Sequence, residues 1–300
     1  MRWQKLGRII EPRPEISWMS AFAGPTFVRL EGSVIRIYMS GRDDQNISRI
    51  GTVDLDPGDM KTIVGISEKP VFDVGEPGCF DERGVSYPWL VDDGSRTVLY
   101  YVGWIAGGLA GFINTTGIAA ADKGGEFQRV TRAPLLERTA AEPIGTGSVC
   151  VRRETDGWRM WYTSFDRWER AGNGWRHFYC IKLATSTDGL HWERPGTRCI
   201  TYGDETEHAI GKPCVLKRNG SYYMWYSYRG TSYRIGFATS GDGINWKRKD
   251  AESGLTVSES GWDSEMVEYA HVFEFQDKLF MTYNGNQFGR TGVGLAVLEE

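Results

Sequence analysis

Acidic, basic and aromatic side chains gather at two recurring places along this 300-residue sequence, just ahead of an apolar segment and just after the next one. Ahead of such segments stand Asp81-Glu82-Arg83 running on to Tyr87, Glu142, Glu205-Thr206-Glu207-His208, and Asp263-Ser264-Glu265 running on to Glu268-Tyr269. After them come Arg42-Asp43-Asp44, Trp104, Asp166-Arg167-Trp168, Tyr228-Arg229 and Asn284-Gly285-Asn286. Two carboxyls across a cleft can divide acid and base work, one protonating a leaving oxygen while the other activates water. A guanidinium fork grips a carboxylate or phosphate, amides hydrogen-bond hydroxyls, and an aromatic face stacks on the C–H face of a sugar ring. The candidate acid–base residues are Glu268, Glu207, Asp81, Glu82 and Asp43, with Glu268 foremost because it stands at a strand start. The candidate substrate-binding residues are Arg42, Arg83, Tyr87, Trp104, Trp168, His208, Arg229, Tyr269, Asn284 and Asn286. Each has a plainer alternative: short acidic pairs are often solvated turns, and arginines often bridge neighbouring elements. With four histidines and no ligand-like spacing, no metal is expected, and no phosphate-cradling Gly-rich loop or Ser/His/Asp motif implies another cofactor.

The elements that must position these residues repeat. Tyr38, Tyr101, Tyr162, Tyr226 and Tyr283 each end an aromatic-rich strand, at spacings of 63, 61, 64 and 57 residues. Counting back 13 or 14 residues reaches the start of an apolar strand, at Pro25, Pro88, Ser148, Pro213 and Ala270. Counting forward reaches Gly51-Thr52-Val53, Gly117-Ile118-Ala119, Lys182-Leu183-Ala184, Gly236-Phe237-Ala238 and Gly294-Leu295-Ala296. A fourth strand is expected near Phe127, Trp192 and Trp246, the tryptophans lying in Ser-x-Asp-Gly-x-x-Trp segments whose Asp-Gly signals a tight turn. Four antiparallel strands repeated five times predict an all-β, five-bladed β-propeller in one domain over residues 1–300, with blades packed around a central channel. The chain runs out before a fourth strand can follow Ala296, so the segment Trp3–Ile10 is expected to complete the last blade.

Composition narrows the function classes. Lys+Arg 35 against Asp+Glu 39 gives a formal net charge of −4, which argues against nucleic-acid binding by bulk charge. No apolar stretch approaches the roughly 18–20 residues of a membrane helix, and the start has no signal-like apolar run, so no membrane partner and a cytoplasmic location are expected. Five cysteines without a CxxC pair point to free thiols.

The repeated layout, with Tyr222-Tyr223-Met224-Trp225-Tyr226-Ser227 and the segment Tyr233–Arg248, resembles the arabinanase, β-xylosidase, levansucrase and invertase superfamily of glycoside hydrolases over nearly the whole chain. The resemblance implies a five-bladed propeller acting on a carbohydrate, with an inner-strand Asp base or nucleophile, a second Asp and a Glu acid. This chain departs from that triad: Gly24, Tyr87, Gly147, Lys212 and Tyr269 stand immediately before the five aligned strand starts, and only blade five has an acid one place earlier, Glu268. The expectation is a glycoside hydrolase-like enzyme using loop carboxylates at the channel mouth to cleave a small glycoside or oligosaccharide. The alternatives are a non-catalytic carbohydrate-binding propeller, or a phosphorylase or sugar-modifying enzyme of a biosynthetic pathway.

Overall fold

The computed structural model describes residues 1–299, and strands dominate it. After β1 (Trp3–Ile10), the first antiparallel meander is β2 (Phe22–Glu31), β3 (Val34–Arg42), β4 (Ser48–Leu55) and β5 (Ile63–Ile66). The second is β6 (Gly84–Asp92), β7 (Arg96–Ala106), β8 (Phe112–Asp122) and β9 (Gln128–Arg129). The third is β10 (Thr146–Glu154), β11 (Gly157–Ala171), β12 (Gly174–Ser186) and β13 (Arg198–Ile200). The fourth is β14 (Ala209–Arg218), β15 (Ser221–Arg229), β16 (Tyr233–Ser240) and β17 (Lys247–Arg248). In the last, β18 (Glu268–Phe275), β19 (Lys278–Asn284) and β20 (Val293–Leu298) are completed by β1, which pairs antiparallel with β20. Single parallel bridges, Ser48 to Gly84 and Tyr179 to Ala209, join the first meander to the second and the third to the fourth. The first strands touch in succession, β2 to β6, β10, β14 and β18, and β18 touches β2.

The repeated tyrosines lie on the second strands, buried, and each hydroxyl meets a carboxylate. Tyr101 donates to Asp81 at 2.9 Å, Tyr162 to Glu142 at 2.9 Å and Tyr283 to Asp263 at 3.0 Å, in every case a carboxylate 20 residues earlier. Tyr38 uses Glu31 at 2.8 Å, and Tyr226 uses Asp250. A cation then closes each latch: Arg129 on Asp81, Lys182 and Arg194 on Glu142, Lys5 on Asp263, Arg36 on Glu31 and Arg248 on Asp250. Arg129, Arg248 and Lys5 stand on the fourth strands β9, β17 and β1, so there the latch ties the outer edge of the meander to its second strand.

The recurring third-strand glycine has a packing cause. A Cβ on Gly117 would come within 2.4 Å of the Tyr101 ring, and one on Gly236 within 2.4 Å of the Tyr226 ring. In the third meander Lys182 takes the equivalent place and reaches into the latch, its Nζ 3.0 Å from Glu142. The Asp-Gly turns also bond across meanders: Tyr100 donates to the Gly189 carbonyl at 3.0 Å and Trp161 to the Gly243 carbonyl at 2.8 Å. One boundary differs from the sequence expectation. Trp192 is in no strand; its indole donates back to Gly189, Glu193 makes a single antiparallel bridge to Thr185, and the fourth strand β13 forms only at Arg198–Ile200, after Arg194 has turned aside to Glu142 and the Glu137 carbonyl.

The latch is testable at Tyr101. Tyr101→Phe removes a hydrogen bond to a buried carboxylate and is expected to cost about 1.5–3 kcal/mol in urea unfolding. An unchanged midpoint would show that Arg129 alone satisfies Asp81.

Candidate functional site

Each first strand breaks register at the same point, between Ala23 and Thr26, Ser86 and Trp89, Thr146 and Val149, Gly211 and Cys214, and Glu268 and His271. Such a bulge re-aims side chains, and it commonly occurs beside functional sites. Tyr87, Lys212 and Tyr269 sit at these breaks with φ of 54°, 53° and 57°, left-handed values that cost a bulky residue energy. Serine hydroxyls hold them there: the Tyr87 amide donates to Ser40 Oγ at 2.8 Å, the Lys212 amide to Ser148 Oγ at 3.0 Å and the Tyr269 amide to Ser227 Oγ at 2.7 Å. Ser40 and Ser227 are the small residues that follow the repeated tyrosines.

These bulges border a cavity of about 490 Å³, within the usual range for small-molecule sites. Arg42, Tyr87, Trp104, Arg229 and Tyr269 line it, as do Lys212, His177, Tyr179 and Tyr233. Its wall carries no Asp or Glu. Glu268 is fully buried just behind it, bearing electrostatically on Tyr87, Tyr179, Tyr233 and Tyr269. Neither Glu268 oxygen makes a well-formed hydrogen bond. Burial pushes its carboxyl well above the usual carboxylate range, and the Tyr269 side chain and the Arg229 guanidinium offset only part of that effect. The tyrosines remain hydroxyls: burial pushes Tyr87 up to about 12, and the Tyr179 and Tyr233 hydroxyls bond to one another.

The cations of this cavity lack counter-charges. Among the described residues Arg42, Arg229 and Lys212 have no ion pair with a carboxylate. Arg42 lies over the Phe22 ring and donates to Asn46; Arg229 lies over Tyr233 and Phe288; Lys212 Nζ sits 5.7 Å from the Trp89 ring centre. Burial lowers the Lys212 ammonium and takes His177 down to about 4, so that imidazole is neutral at pH 7. On one side His177 stacks on Tyr179 and packs edge-on against Phe112, Phe165 and Trp168, forming an aromatic wall.

Other sequence candidates are held elsewhere, each for a visible reason. Asp81 is buried in the Tyr101 latch with Arg129. Asp43 caps its own turn through the Gln45 and Ile47 amides and pairs with Arg49. Glu82 accepts the Gly78 amide in a tight turn, and Arg83 is exposed outside the cavity lining. Glu207 accepts the Gly203 amide and a two-pronged ion pair from Arg248. Asn284 donates to the Ala23 and Gly292 carbonyls, and Asn286 bonds the Glu265, Met266 and Gly261 backbone. Trp168 stacks on Phe165 within the aromatic cluster without lining the cavity, and His208 packs on His177 with Nδ1 3.2 Å from the His177 carbonyl. The expected convergence of loop carboxylates is therefore replaced by ion pairing within the scaffold.

Sequence reasoning passed over Lys212, His177, Tyr179 and Tyr233 as site residues. A signal for three of them was present: Lys212 holds the same repeat position as Tyr87 and Tyr269, while Tyr179 and Tyr233 stand three residues before Lys182 and Gly236. Among the described residues no group of three or more His, Cys, Asp and Glu is placed to hold a metal ion, and no helix is long and apolar enough to cross a membrane.

Glu268 makes stability depend on pH with a defined sign. Its folded pKa lies above the ordinary 4.5, so the folded state keeps a proton that the unfolded chain loses. The contribution of Glu268 to stability is greatest below about 4.5 and falls as pH rises toward the folded pKa, by up to ~1.4 kcal/mol per pH unit. Glu268→Gln is expected to flatten that part of the profile in urea titrations between pH 4.5 and 8. An equal slope in both proteins would mean that Glu268 is ionised in the fold.

No family model matches the chain. Among solved structures, a glycosyl hydrolase from Bacteroides ovatus superposes with a TM-score of 0.77 at 14% identity, covering 99% of this chain and 93% of that one. A structure from work on the GH130 family of mannoside phosphorylases, described as containing glycoside hydrolases that target β-1,2 mannosidic linkages in Candida mannan, gives 0.74 at 15%, covering 99% and 93%. A thermostable family-43 glycoside hydrolase gives 0.70 at 17%, covering 97% and 93%. The chain thus has the all-β fold of the β-propeller glycoside hydrolases. In sequence it is 38% identical over 300 residues, the whole of both chains, to the uncharacterized proteins MT1551 and Rv1502 from two strains of Mycobacterium tuberculosis. With that identity over the whole of both chains, the chain belongs to the family of those two mycobacterial proteins.

Proposed function

We propose that this protein is a single-domain, five-bladed propeller enzyme that cleaves the glycosidic bond of a small glycoside or oligosaccharide in its central cavity. The carrying observation is Glu268: a fully buried carboxyl, unpaired, pushed toward its protonated form and set behind four tyrosine hydroxyls that face the cavity. An isolated buried acid is costly, and such groups concentrate where protons are transferred. In the proposed step Tyr269 gives its hydroxyl proton to the leaving oxygen and takes one from Glu268, so the glycosidic C–O bond breaks and the negative charge ends on the Glu268 carboxylate; water then bonds to the anomeric carbon, and the proton it sheds returns through Tyr269 to Glu268. Arg229, already close enough to favour that charge, stabilises it. The aromatic wall of Phe112, Phe165 and His177 supplies a face for the sugar ring.

A second reading, cleavage by phosphate instead of water, is supported by the lining's lack of a carboxylate to activate water and by its unpaired arginines. Proton NMR of the purified protein with a panel of glycosides and sugar nucleotides, with and without phosphate, separates the two. Glu268→Gln and Tyr269→Phe are each expected to lose about 100-fold or more in kcat while binding sugar within a few-fold of wild type. The wild-type rate should fall as pH rises through the Glu268 pKa, since the acid must be protonated. Full turnover by Glu268→Gln would remove its role, and saturable binding without turnover by the wild type would make the protein a carbohydrate-binding propeller.

A further inference from the structure

Lys212 is the least explained charged side chain of the cavity. It is 2% exposed, lines the cavity from a left-handed backbone position, and its Nζ has no hydrogen-bond partner. Arg229 lines the same cavity with its Nε buried and unbonded. Arg42 adds a third cation whose only side-chain acceptor among the described residues is the neutral amide of Asn46. Elsewhere in the molecule the contrast is plain: Arg36, Arg49, Arg129, Arg194, Arg198 and Arg248 all meet carboxylates.

A buried cation without a partner is expensive, and a lysine there is useful to a fold only when something else satisfies it. The anion cannot be Glu268, which lies outside ion-pair distance of all three and whose burial favours the neutral acid. We propose that Lys212 and Arg229, with Arg42 at the rim, form an oxyanion subsite, and that the substrate is a sugar carrying its own carboxylate or phosphate group. Three ammonium hydrogens and the guanidinium edge supply the donors such a group needs, and the Arg fork adds geometric selectivity. The inference rests on the reading of the cavity as a sugar site and names the class of sugar that it takes.

Binding, read apart from turnover, tests it. Wild type, Lys212→Met and Arg229→Gln are titrated by calorimetry with hexuronic acids and hexose 1-phosphates, with the neutral parent hexoses, and with inorganic phosphate alone. Wild type is expected to bind at least one charged sugar about tenfold or more tighter than its neutral parent, an advantage that weakens with salt and shrinks to about twofold or less in both variants. Lys212→Met should melt no lower than wild type without ligand, because it removes a buried polar group that has no partner to lose. If that variant fails to fold, the lysine is structural and Arg229→Gln, at a half-buried position, decides the matter. Neutral and charged sugars binding alike, or an undiminished preference in Arg229→Gln, would overturn the subsite and leave the sugar reading standing. Inorganic phosphate binding as tightly as the hexose phosphate would overturn the assignment of the anion to the sugar. Failure of every sugar, charged or neutral, to bind or turn over would bring down the sugar reading itself.

Discussion

A tyrosine hydroxyl donated to a buried carboxylate, with a cation on the carboxylate's far side, is the contact on which this architecture turns. In the second, third and last meanders its members come from distant points, as with Asp81 from the entry loop, Tyr101 from the second strand and Arg129 from the last; in the first, Glu31, Arg36 and Tyr38 share one hairpin and the carboxylate is half-buried. A carboxylate in that position is too costly to bury alone, so losing either partner exposes the full penalty. The latch therefore fixes the entry loop relative to the sheet. Because the loop leads directly into the first strand, it also fixes where that strand bulges. The third-strand glycines follow from the same contact, since the tyrosine ring lies on their Cα atoms at Gly117 and Gly236.

That arrangement divides the molecule's charges into two populations. On the scaffold, acids and bases satisfy one another, and Glu142 is the extreme case, receiving Tyr162, Ser164, Lys182 and Arg194 together. Around the cavity the opposite holds, with one buried acid and three cations that find no counterpart. Backbone strain is distributed in the same way, since Tyr87, Lys212 and Tyr269 hold left-handed φ values at the cavity's edge. Unpaired charge and strain in one place, surrounded by a well-satisfied frame, mark this cavity as the candidate site. The neutral His177 and the protonated tyrosines complete a lining that offers donors and aromatic faces but few negative charges.

Some of this was legible from residue order. The spacing of Tyr38, Tyr101, Tyr162, Tyr226 and Tyr283, and the Gly-x-Ala segments after them, marked the second and third strands, because strand pattern and turn chemistry are local properties. The position before each first-strand start was also readable, and it is there that Tyr87, Lys212 and Tyr269 take up left-handed backbone. Trp192 shows the limit of local reading: its position in the repeat marks a strand, yet its indole closes a turn.

Which acids are free was decided by tertiary structure alone. Asp81, Glu207 and Glu268 look alike in sequence, each an acid shortly before an apolar strand. They differ because Arg129 reaches Asp81 across 48 residues and Arg248 reaches Glu207 across 41, whereas among the described residues no cation forms an ion pair with Glu268. Lys212 likewise appears in sequence as one lysine among many, and only the packing of Trp89, Ser148 and Cys214 around it makes it a buried, unpaired cation. The sequence by itself determined the repeat and most of the strands, since these depend on neighbours along the chain; the state of each charge depends on partners brought together from distant points of the chain, and only the fold selects them.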